Sequence, residues 1–484
     1  MGAPNYLLRN AVSARAAQEA LGGKIVVVLD TSLESETRIK ALCRSFGITK
    51  FINIHGMKIP YKAKIRALME CLKVFLKNNP DQLLKLSYNG INMGHLLYDD
   101  ILHNDIKSNG RSKHYTINRI DAFCIKHIYN FYIKAYIYDS IMRQNDIRAY
   151  VSTHTVYTEY GILPFMAVER HIPVVYSDDY SYAVINVNKE LYAHDRIRHY
   201  VDKIIQSASS KELIARAEKD LRERMDGYGN VDTKLAYSND KRSYERKELV
   251  RKLGIKDQKP IVFIFAHVFR DSPHISSHLL YRDYYQWLED TLVCADQIDG
   301  VNWVVKEHPS GEKLYKEKGG VSDILKRRKL SNIFSCPPDL NTKSIAKVAD
   351  AVLTCQGTVG IECSCLGIPA VVCGKAFYTG FGFTIEPKTI RQYREILGRM
   401  KNIKKLSDEQ IEKAKEVYSA YQIYYGNQQV LLNNDILDCV WGYSREQSVE
   451  EAYRLINAGF DNMDFIHSSL YQDIYQYFEN REMK

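Results

Sequence analysis

Short apolar runs alternate with segments of helical periodicity along most of the chain. The run KIVVVLD (residues 24–30) has the length of a buried strand, and the following TSLESETRIKALCRSFG places apolar residues at helical spacing. Ser32 and Ser35 are candidate caps of that helix. The alternation recurs at IRAYVSTH, ILPFMAVERHI and PVVYSDD. It predicts an α/β fold in which parallel sheets carry helices on both faces.

A polar segment near the middle of the chain predicts a domain boundary. DGYGNVDTKLAYSNDKRS has turn residues and almost no large apolar groups. Strand candidates resume with KPIVFIFAHVF, VNWVVKEHP, SNIFSCPP, DAVLTCQG and IPAVVCG, whereas the C-terminal part shows only helical segments such as SREQSVEEAYRLINAGF. We predict Rossmann-like domains over 1–235 and 236–425 and a helical tail over 426–484. Ligands should bind at the carboxyl ends of the strands, in a cleft that both domains face.

Composition supports this organisation. The 484 residues exceed the usual size of one core, and 45% hydrophobic with 26% charged residues is typical of globular proteins. No run approaches the roughly 18 apolar residues of a membrane span, and the N-terminus lacks the apolar core of a signal peptide, so we expect a cytoplasmic protein.

The ten cysteines form no C-x-x-C pair, which favours free thiols over a disulfide scaffold or zinc site.

The net charge of +9 gathers partly in basic runs at 326–329 and 401–405. Such runs are compatible with a solvated face, a phosphate-rich substrate, or peripheral contact with the inner face of the cytoplasmic membrane. No nucleic-acid-binding motif accompanies the charge, so nucleic acid is not an expected partner.

The turn after VNWVV holds a cation and an imidazole. Lys306 and His308 stand at the predicted rim of the cleft, and Pro309 fixes the turn. A histidine there either donates to a phosphate oxygen, with Lys306 adding charge, or serves only to build the turn.

The turn after DAVLTCQ predicts an anion site. Thr358 lies near a helix N-terminus, where its hydroxyl and unpaired backbone N–H groups would hold an anion, and Gly357 and Gly360 would let the backbone come close. Plain N-capping by Thr358 is the alternative. Glu362, one turn further, would either bond a ribose hydroxyl or complete a capping arrangement with Thr358.

Two other turns carry acids and bases. The loop FAHVFRDSPH crowds His267, Arg270, Asp271 and His274 together, and Asp271 is a candidate nucleophile or base, with helix capping as its alternative. In the N-terminal domain, STHTVYTEYG offers His154 and Glu159, which could act on an acceptor hydroxyl. Metal-ligand spacing, a GxGxxG motif and a P-loop lysine are absent from the sequence, so we expect neither a metal nor a dinucleotide cofactor.

The motifs VVKEHPSG and IAKVADAVLTCQGTVGIECSCLGIPAVVCGKAFYTGFGFT, within residues 301–384, together resemble the capsule polysaccharide biosynthesis family, which includes bacterial β-Kdo transferases of GT-B fold. The resemblance implies that His308 and Pro309 match a His-Pro motif at the nucleotide phosphate. It also implies that Thr358 and Glu362 match the hydroxyl residue and the carboxylate that follow this motif. Asp271 falls where family members carry a proposed nucleophile.

The resemblance predicts a glycosyltransferase that moves a sugar from a nucleotide donor, most plausibly CMP-linked, to a glycan or lipid-linked acceptor held by the N-terminal domain. No other cofactor is implied. Three alternatives stay open: a nucleotide-sugar 2-epimerase, a CDP-polyol phosphotransferase of the same fold, and a non-catalytic scaffold of polysaccharide assembly.

Overall fold

The computed structural model describes residues 4–30, 33–105, 115–178, 181–226, 228, 237, 241–256, 258–313, 317, 319–426, 453–454 and 464–482. The chain divides into two compact units. The first unit comprises residues 1–97, 120–191 and 425–484, and the second unit comprises residues 98–119 and 192–424.

The secondary structure follows the alternation predicted from the sequence. The strands are β1 (Val26–Leu29), β2 (Lys50–Asn53), β3 (Ser87–Tyr88), β4 (Ile91–Asn92), β5 (Tyr150–Ser152), β6 (Val174–Ser177), β7 (Tyr182–Ile185), β8 (Ile261–Phe265), β9 (Asn302–Lys306), β10 (Ile333–Ser335), β11 (Ala351–Thr354), β12 (Ala370–Val372) and β13 (Thr384–Ile385). The helices are α1 (Pro4–Leu21), α2 (Leu33–Ser45), α3 (Tyr61–Lys77), α4 (Gly94–Asn104), α5 (Ala122–Gln144), α6 (Tyr157–Glu169), α7 (Ala193–Ser207), α8 (Ser210–Met225), α9 (Arg246–Leu253), α10 (Tyr284–Asp296), α11 (Pro309–Lys313), α12 (Gly320–Arg328), α13 (Ile345–Val348), α14 (Val359–Ser364), α15 (Ile390–Arg399), α16 (Asp408–Gly426) and α17 (Ser469–Glu482).

The second unit contains a six-stranded sheet in the order β10-β9-β8-β11-β12-β13, and every neighbouring pair is parallel. Counted along the chain, this is the 3-2-1-4-5-6 order of a Rossmann sheet. Its central strands are mostly apolar because helices cover both faces; Val262, Val304 and Val352 are fully buried. The strand order reverses between β8 and β11, which is where ligands of such sheets bind.

The described strands of the first unit form smaller sheets. β1 pairs in parallel with β2, and β5 pairs in parallel with β6, to which β7 adds an antiparallel edge. β3 and β4 form a separate hairpin. The α/β class with parallel strands is thus confirmed, although the continuous parallel sheet lies in the second unit.

The two units differ from the predicted domain boundaries. The segment with α7 and α8, predicted to be N-terminal, belongs to the second unit, where Glu218 of α8 pairs with Lys415 of α16 at 2.6 Å. The end of the chain belongs to the first unit. There, Leu470 and Ile474 of α17 share a core with Leu8 of α1, so an apolar helix face predicted to form a separate tail is buried against the N-terminus.

The helical character of the C-terminal segment is confirmed by α16 and α17. Most of the predicted helix SREQSVEEAYRLINAGF lies outside the described residues, as do the side chains of the candidate caps Ser32 and Ser35.

Candidate functional site

The candidate site begins at the switch point of the six-stranded sheet. His267 follows β8 and Thr354 ends β11, and the parallel pairing of these strands brings both residues to one edge of the sheet. His267 Nε2 lies 3.0 Å from Thr354 Oγ1 and accepts a 3.1 Å hydrogen bond from the Cys355 amide. The Gly357 amide donates to the same Thr354 oxygen at 3.2 Å. An Nε2 that accepts an amide carries no proton, so the ring is neutral with its proton on Nδ1.

Two further histidines, His194 and His308, accompany His267. Burial, helped by the charges that His308 and His194 would carry, lowers the pKa of His267 to about 3. Burial also lowers the pKa of His194 to about 4. Nδ1 of His194 accepts from the Phe377 amide at 3.1 Å, and Nδ1 of His308 accepts from the Ser310 amide at 3.2 Å. A neutral ring with this arrangement carries its proton on Nε2 and is a hydrogen-bond donor there.

Lys306 is a buried cation at the end of β9, with its residue only 8% exposed. No hydrogen bond or ion pair joins its ammonium group to any residue that the structure describes. Lysines are rarely buried without a partner, because desolvation penalises the unpaired charge. Pro309 begins α11 three residues later, in the position where helices tolerate proline best. The turn therefore presents a cation beside His308, as the sequence predicts.

Thr358 does not act as a side-chain N-cap. Its backbone is already helical, at φ −60° and ψ −20°, and its side chain makes no capping hydrogen bond to α14. The predicted capping arrangement with Glu362 is likewise absent from the described contacts of both residues. Thr358 is half-buried, and its hydroxyl thus remains available to a ligand. The helix α14 that follows it is only six residues long.

The two glycines of this turn make room for the protein's own side chains. A Cβ atom on Gly357 would lie 3.0 Å from Thr354 Oγ1, and one on Gly360 would collide with the hydroxyl of Tyr378. The same hydroxyl donates to the Gly357 carbonyl at 2.5 Å. The close approach of Tyr378 is therefore a sufficient reason for glycine at 360, independent of the anion that the sequence predicts near it.

Glu362 points into a pocket on the other side of α14. Its carboxylate pairs with Arg224 at 3.0 Å and accepts a hydrogen bond from the Tyr237 hydroxyl at 3.2 Å. Burial opposes the charge of Arg224, yet the carboxylate raises the pKa of Arg224 above its usual value. Two polar atoms of residues lining this pocket, Arg224 Nε and Thr342 Oγ1, are buried without a hydrogen-bond partner among the described residues. A ribose hydroxyl at Glu362 would have to share the carboxylate with Arg224.

The loop after β8 places Asp271 at the surface and a second acid beneath it. Asp271 is exposed, and the next residue, Ser272, has a left-handed backbone at φ 40°. Burial, and to a lesser degree the charge of Asp271, raises the pKa of Glu317 to about 8, although Glu317 accepts the Arg270 amide at 3.1 Å. Glu317 is therefore mostly protonated at neutral pH and lies within electrostatic reach of Asp271.

His274 belongs to a buried ion pair beneath this loop. Its Nδ1 lies 2.6 Å from the Asp99 carboxylate, and its backbone amide donates to the other oxygen at 3.1 Å. Burial opposes protonation of His274, but Asp99 raises the pKa of His274 above its usual value. Gln356 fastens the loop to β11 by donating to the Pro273 carbonyl at 3.0 Å. The loop is thus held rigidly where Asp271 emerges.

In the first unit, His154 and Glu159 both lie at the carboxyl end of β5. The His154 ring contacts those of Tyr6 and Tyr160, at centroid distances of 4.9 and 5.3 Å. Glu159 lies in the first turn of α6, where a carboxylate is favoured by the helix dipole, and it bonds the Tyr160 hydroxyl. The structure brings these two predicted residues together in their own unit.

Most predicted donor-binding residues lie along one sheet edge: Lys306, His308 and Pro309 after β9, and Gly357 and Thr358 after β11. His194 and Glu317 were missed. His194 lies in a helix with no motif around it, and only its tertiary contact with Phe377 brings it to the site. Nothing local to the sequence indicates that Glu317 is buried.

Among the described residues, no three His, Cys, Asp or Glu side chains are grouped so as to hold a metal ion. No described helix is both long and apolar enough to cross a membrane. Cys363 and Cys365 are free and buried, and burial raises the pKa of each thiol.

Residues 189–425 match the family described as "Capsule polysaccharide biosynthesis protein". This segment spans just under half of the chain. It contains the whole six-stranded sheet and its edge, so the resemblance predicted from the motifs is confirmed. No curated protein sequence matches the chain.

Solved structures with partial similarity include two from Thermosulfurimonas dismutans. The KpsC β-Kdo 2,4 transferase is 16% identical, with a TM-score of 0.35 over 56% of this chain and 78% of that chain. The KpsC β-Kdo 2,7 transferase is 15% identical, with a TM-score of 0.34 over 66% and 89%. A glycosyltransferase from Rickettsia africae is 10% identical, with a TM-score of 0.28 over 94% and 95%. The fold itself follows from the sheet order of the second unit.

Proposed function

We propose that the protein is a glycosyltransferase of capsular or related surface polysaccharide assembly that uses a nucleotide-sugar donor. The observation that carries this proposal is the buried Lys306 ammonium at the carboxyl edge of a Rossmann-ordered sheet, which has no hydrogen bond or ion pair to any described residue. It lies within the segment that matches the capsule family. A nucleotide phosphate supplies the missing negative charge at the place where such sheets bind nucleotides.

The donor phosphate would be bound by Lys306, His308 and Thr358. The first supplies a full charge and the other two supply N–H and O–H donors. When the bond between the sugar and the phosphate breaks, negative charge builds on the phosphate, and fixed donors in a site with little water stabilise that charge. The motif resemblance supports a CMP-linked acidic sugar such as Kdo as the donor, with the protein working in the cytoplasm at the inner membrane face.

Asp271 is the proposed group that acts at the sugar. In a retaining reaction its carboxylate oxygen forms a bond to the anomeric carbon as the nucleotide leaves with the bonding electrons. The acceptor oxygen then attacks that carbon and displaces the carboxylate, while Glu159 or His154 takes the proton of the acceptor hydroxyl. In an inverting reaction Asp271 or Glu159 takes the proton of the acceptor hydroxyl as that oxygen attacks the anomeric carbon. The first unit, with Glu159 and His154, would hold the glycan or lipid-linked acceptor.

The proposal is tested by measuring the melting temperature of the purified protein with CMP, UDP, GDP and their sugar conjugates. We expect CMP compounds to raise it, since a ligand that binds only the folded state stabilises it. His308→Ala and Thr358→Ala should reduce that rise. Stabilisation by UDP alone would overturn the CMP donor, and no stabilisation by any nucleotide would overturn the proposed donor site. Donor turnover without an acceptor would indicate an epimerase instead.

A further inference from the structure

The helix α3 carries a band of exposed apolar side chains on the first unit. Apolar residues this exposed usually occur singly on protein surfaces, and five others in the described chain are scattered. On α3, by contrast, seven side chains from one short helix are each more than half exposed, ranging from 53% to 83%. This apolar band consists of Tyr61, Ile65, Leu68, Met69, Leu72, Phe75 and Leu76.

The band lies on the side of α3 that faces away from the unit. Ala67, Cys71 and Val74 form the buried side, and the Cys71 thiol contacts the Ile125 carbonyl of α5 at 3.6 Å. At about 100° per residue, the seven exposed positions fall within an arc of about 120° opposite these three. The helix is therefore apolar on two faces, and the described residues of its own unit cover only one of them.

Basic side chains border the band. Lys62, Arg66, Lys73 and Lys77 fall together in the arc between the band and the buried side, and all four are exposed. Between residues 58 and 77 the chain has six Lys or Arg residues and one acid, Glu70, which pairs with Lys73 at 2.7 Å. An apolar band edged by lysine and arginine complements a surface that is apolar inside and negative outside.

We propose that α3 is a docking surface for an anionic lipid bilayer. The helix would lie in the headgroup plane, with the apolar band among the acyl chains and the basic side chains among the lipid phosphates. A second copy of the chain fits this surface less well. A two-fold contact that packs the two bands antiparallel would set the basic side chains of both copies beside each other, where like charges repel.

The basic run at 326–329 was another candidate membrane contact in the sequence, but two of its side chains form ion pairs within the protein. Arg327 and Arg328 both pair with Glu289 at 2.7 Å. The membrane surface is thus assigned to the first unit. It is independent of the proposed donor site, because no residue of α3 takes part in that site.

The test is co-sedimentation of the full chain with phosphatidylcholine vesicles, with and without phosphatidylglycerol. We expect binding to the anionic vesicles that weakens with added salt, because screening reduces the attraction of the basic arc. Leu68→Gln with Leu72→Gln should weaken binding by at least about tenfold, since the two leucines would no longer be buried among the acyl chains. Melting temperature and nucleotide binding should be unchanged, which separates this result from failure of the proposed function.

The matched control is Ile390→Gln with Ile466→Gln, which removes two exposed apolar side chains elsewhere and should leave vesicle binding unchanged. The proposal is overturned if the protein stays in the supernatant with anionic vesicles, or if the leucine variants bind as the parent does. Light scattering without lipid completes the test. A dimer that the leucine substitutions convert to a monomer would also overturn the proposal, because the band would then be covered by a second copy.

Discussion

The ring of His267 stacks on the ring of Tyr284, with centroids 4.2 Å apart and planes inclined by 17°. The Tyr284 hydroxyl in turn accepts a 2.5 Å hydrogen bond from Gln356, the residue that follows Cys355 in the turn after β11. His267 is thus held by stacking from α10 and by hydrogen bonds from β11. Its imidazole is a neutral structural acceptor at the base of the candidate site.

This role predicts a loss of stability in mild acid. The pKa values of His267 and His194 are lowered to about 3 and about 4, so the unfolded chain binds protons at pH values where the folded chain does not. The free energy of unfolding should therefore fall as the pH drops below about 6.5, by about 1–2 kcal/mol per histidine between pH 7 and 5. Urea unfolding across this range measures it.

Variants that keep the acceptor but cannot titrate provide the control. His267→Gln retains an acceptor near the position of Nε2, and His194→Asn retains one near Nδ1. The pH dependence of unfolding should be shallower in each variant and shallowest in the pair. An unchanged slope in the double variant would show that neither histidine is responsible.

Lys306→Met should separate binding from stability. Removing a buried ammonium group that pairs with none of the described residues relieves a desolvation penalty, so we expect the free energy of unfolding to stay constant or to rise by about 1 kcal/mol. Nucleotide affinity, measured by titration calorimetry, should fall at least about tenfold through loss of a charge-assisted bond. Lys404→Met, which removes an exposed lysine, should change neither quantity. Marked destabilisation by Lys306→Met would assign the lysine a structural role.

Gly360→Ala should destabilise the fold because of Tyr378. The added Cβ would collide with the tyrosine hydroxyl and lie 3.0 Å from Cζ, and overpacking of this kind costs about 1–3 kcal/mol. In a Tyr378→Phe background the hydroxyl is gone, so the same substitution should cost less. A double-mutant cycle by denaturant unfolding measures the coupling. Equal costs in both backgrounds would contradict this explanation of the glycine.

Asp271→Ala should abolish transfer while leaving the donor bound. If the carboxylate attacks the sugar or takes a proton, we expect kcat to fall by at least about a thousandfold with the nucleotide Kd unchanged. Asp299→Ala, at another exposed aspartate of the second unit, is the comparison and should retain activity. Full activity in Asp271→Ala would remove this residue from the mechanism.

The local sequence pattern was sufficient to predict the strands and helices of the fold and the turns that form the candidate site. Strands such as KIVVVLD and VNWVV formed as predicted because alternation of short apolar runs with helical periodicity is a local property. The positions of Lys306, His308 and Thr358 followed from the rule that ligands bind at strand ends. The domain boundaries could not be predicted as well, because the partner of an apolar helix face can come from any part of the chain.

By itself, the sequence determined the α/β class, the resemblance of the second unit to the capsule polysaccharide family and the residues of two strand-end turns. Only the tertiary structure decided which side chains meet there. In the tertiary structure His194 lies near enough to His267 to affect its pKa, and Glu362 pairs with Arg224. Tyr378 fills the space that a side chain at position 360 would need. The tertiary structure also left the second apolar face of α3 exposed among the described residues. The physical reason is that periodicity determines which face of an element is apolar, whereas the path of the whole chain determines what lies against that face.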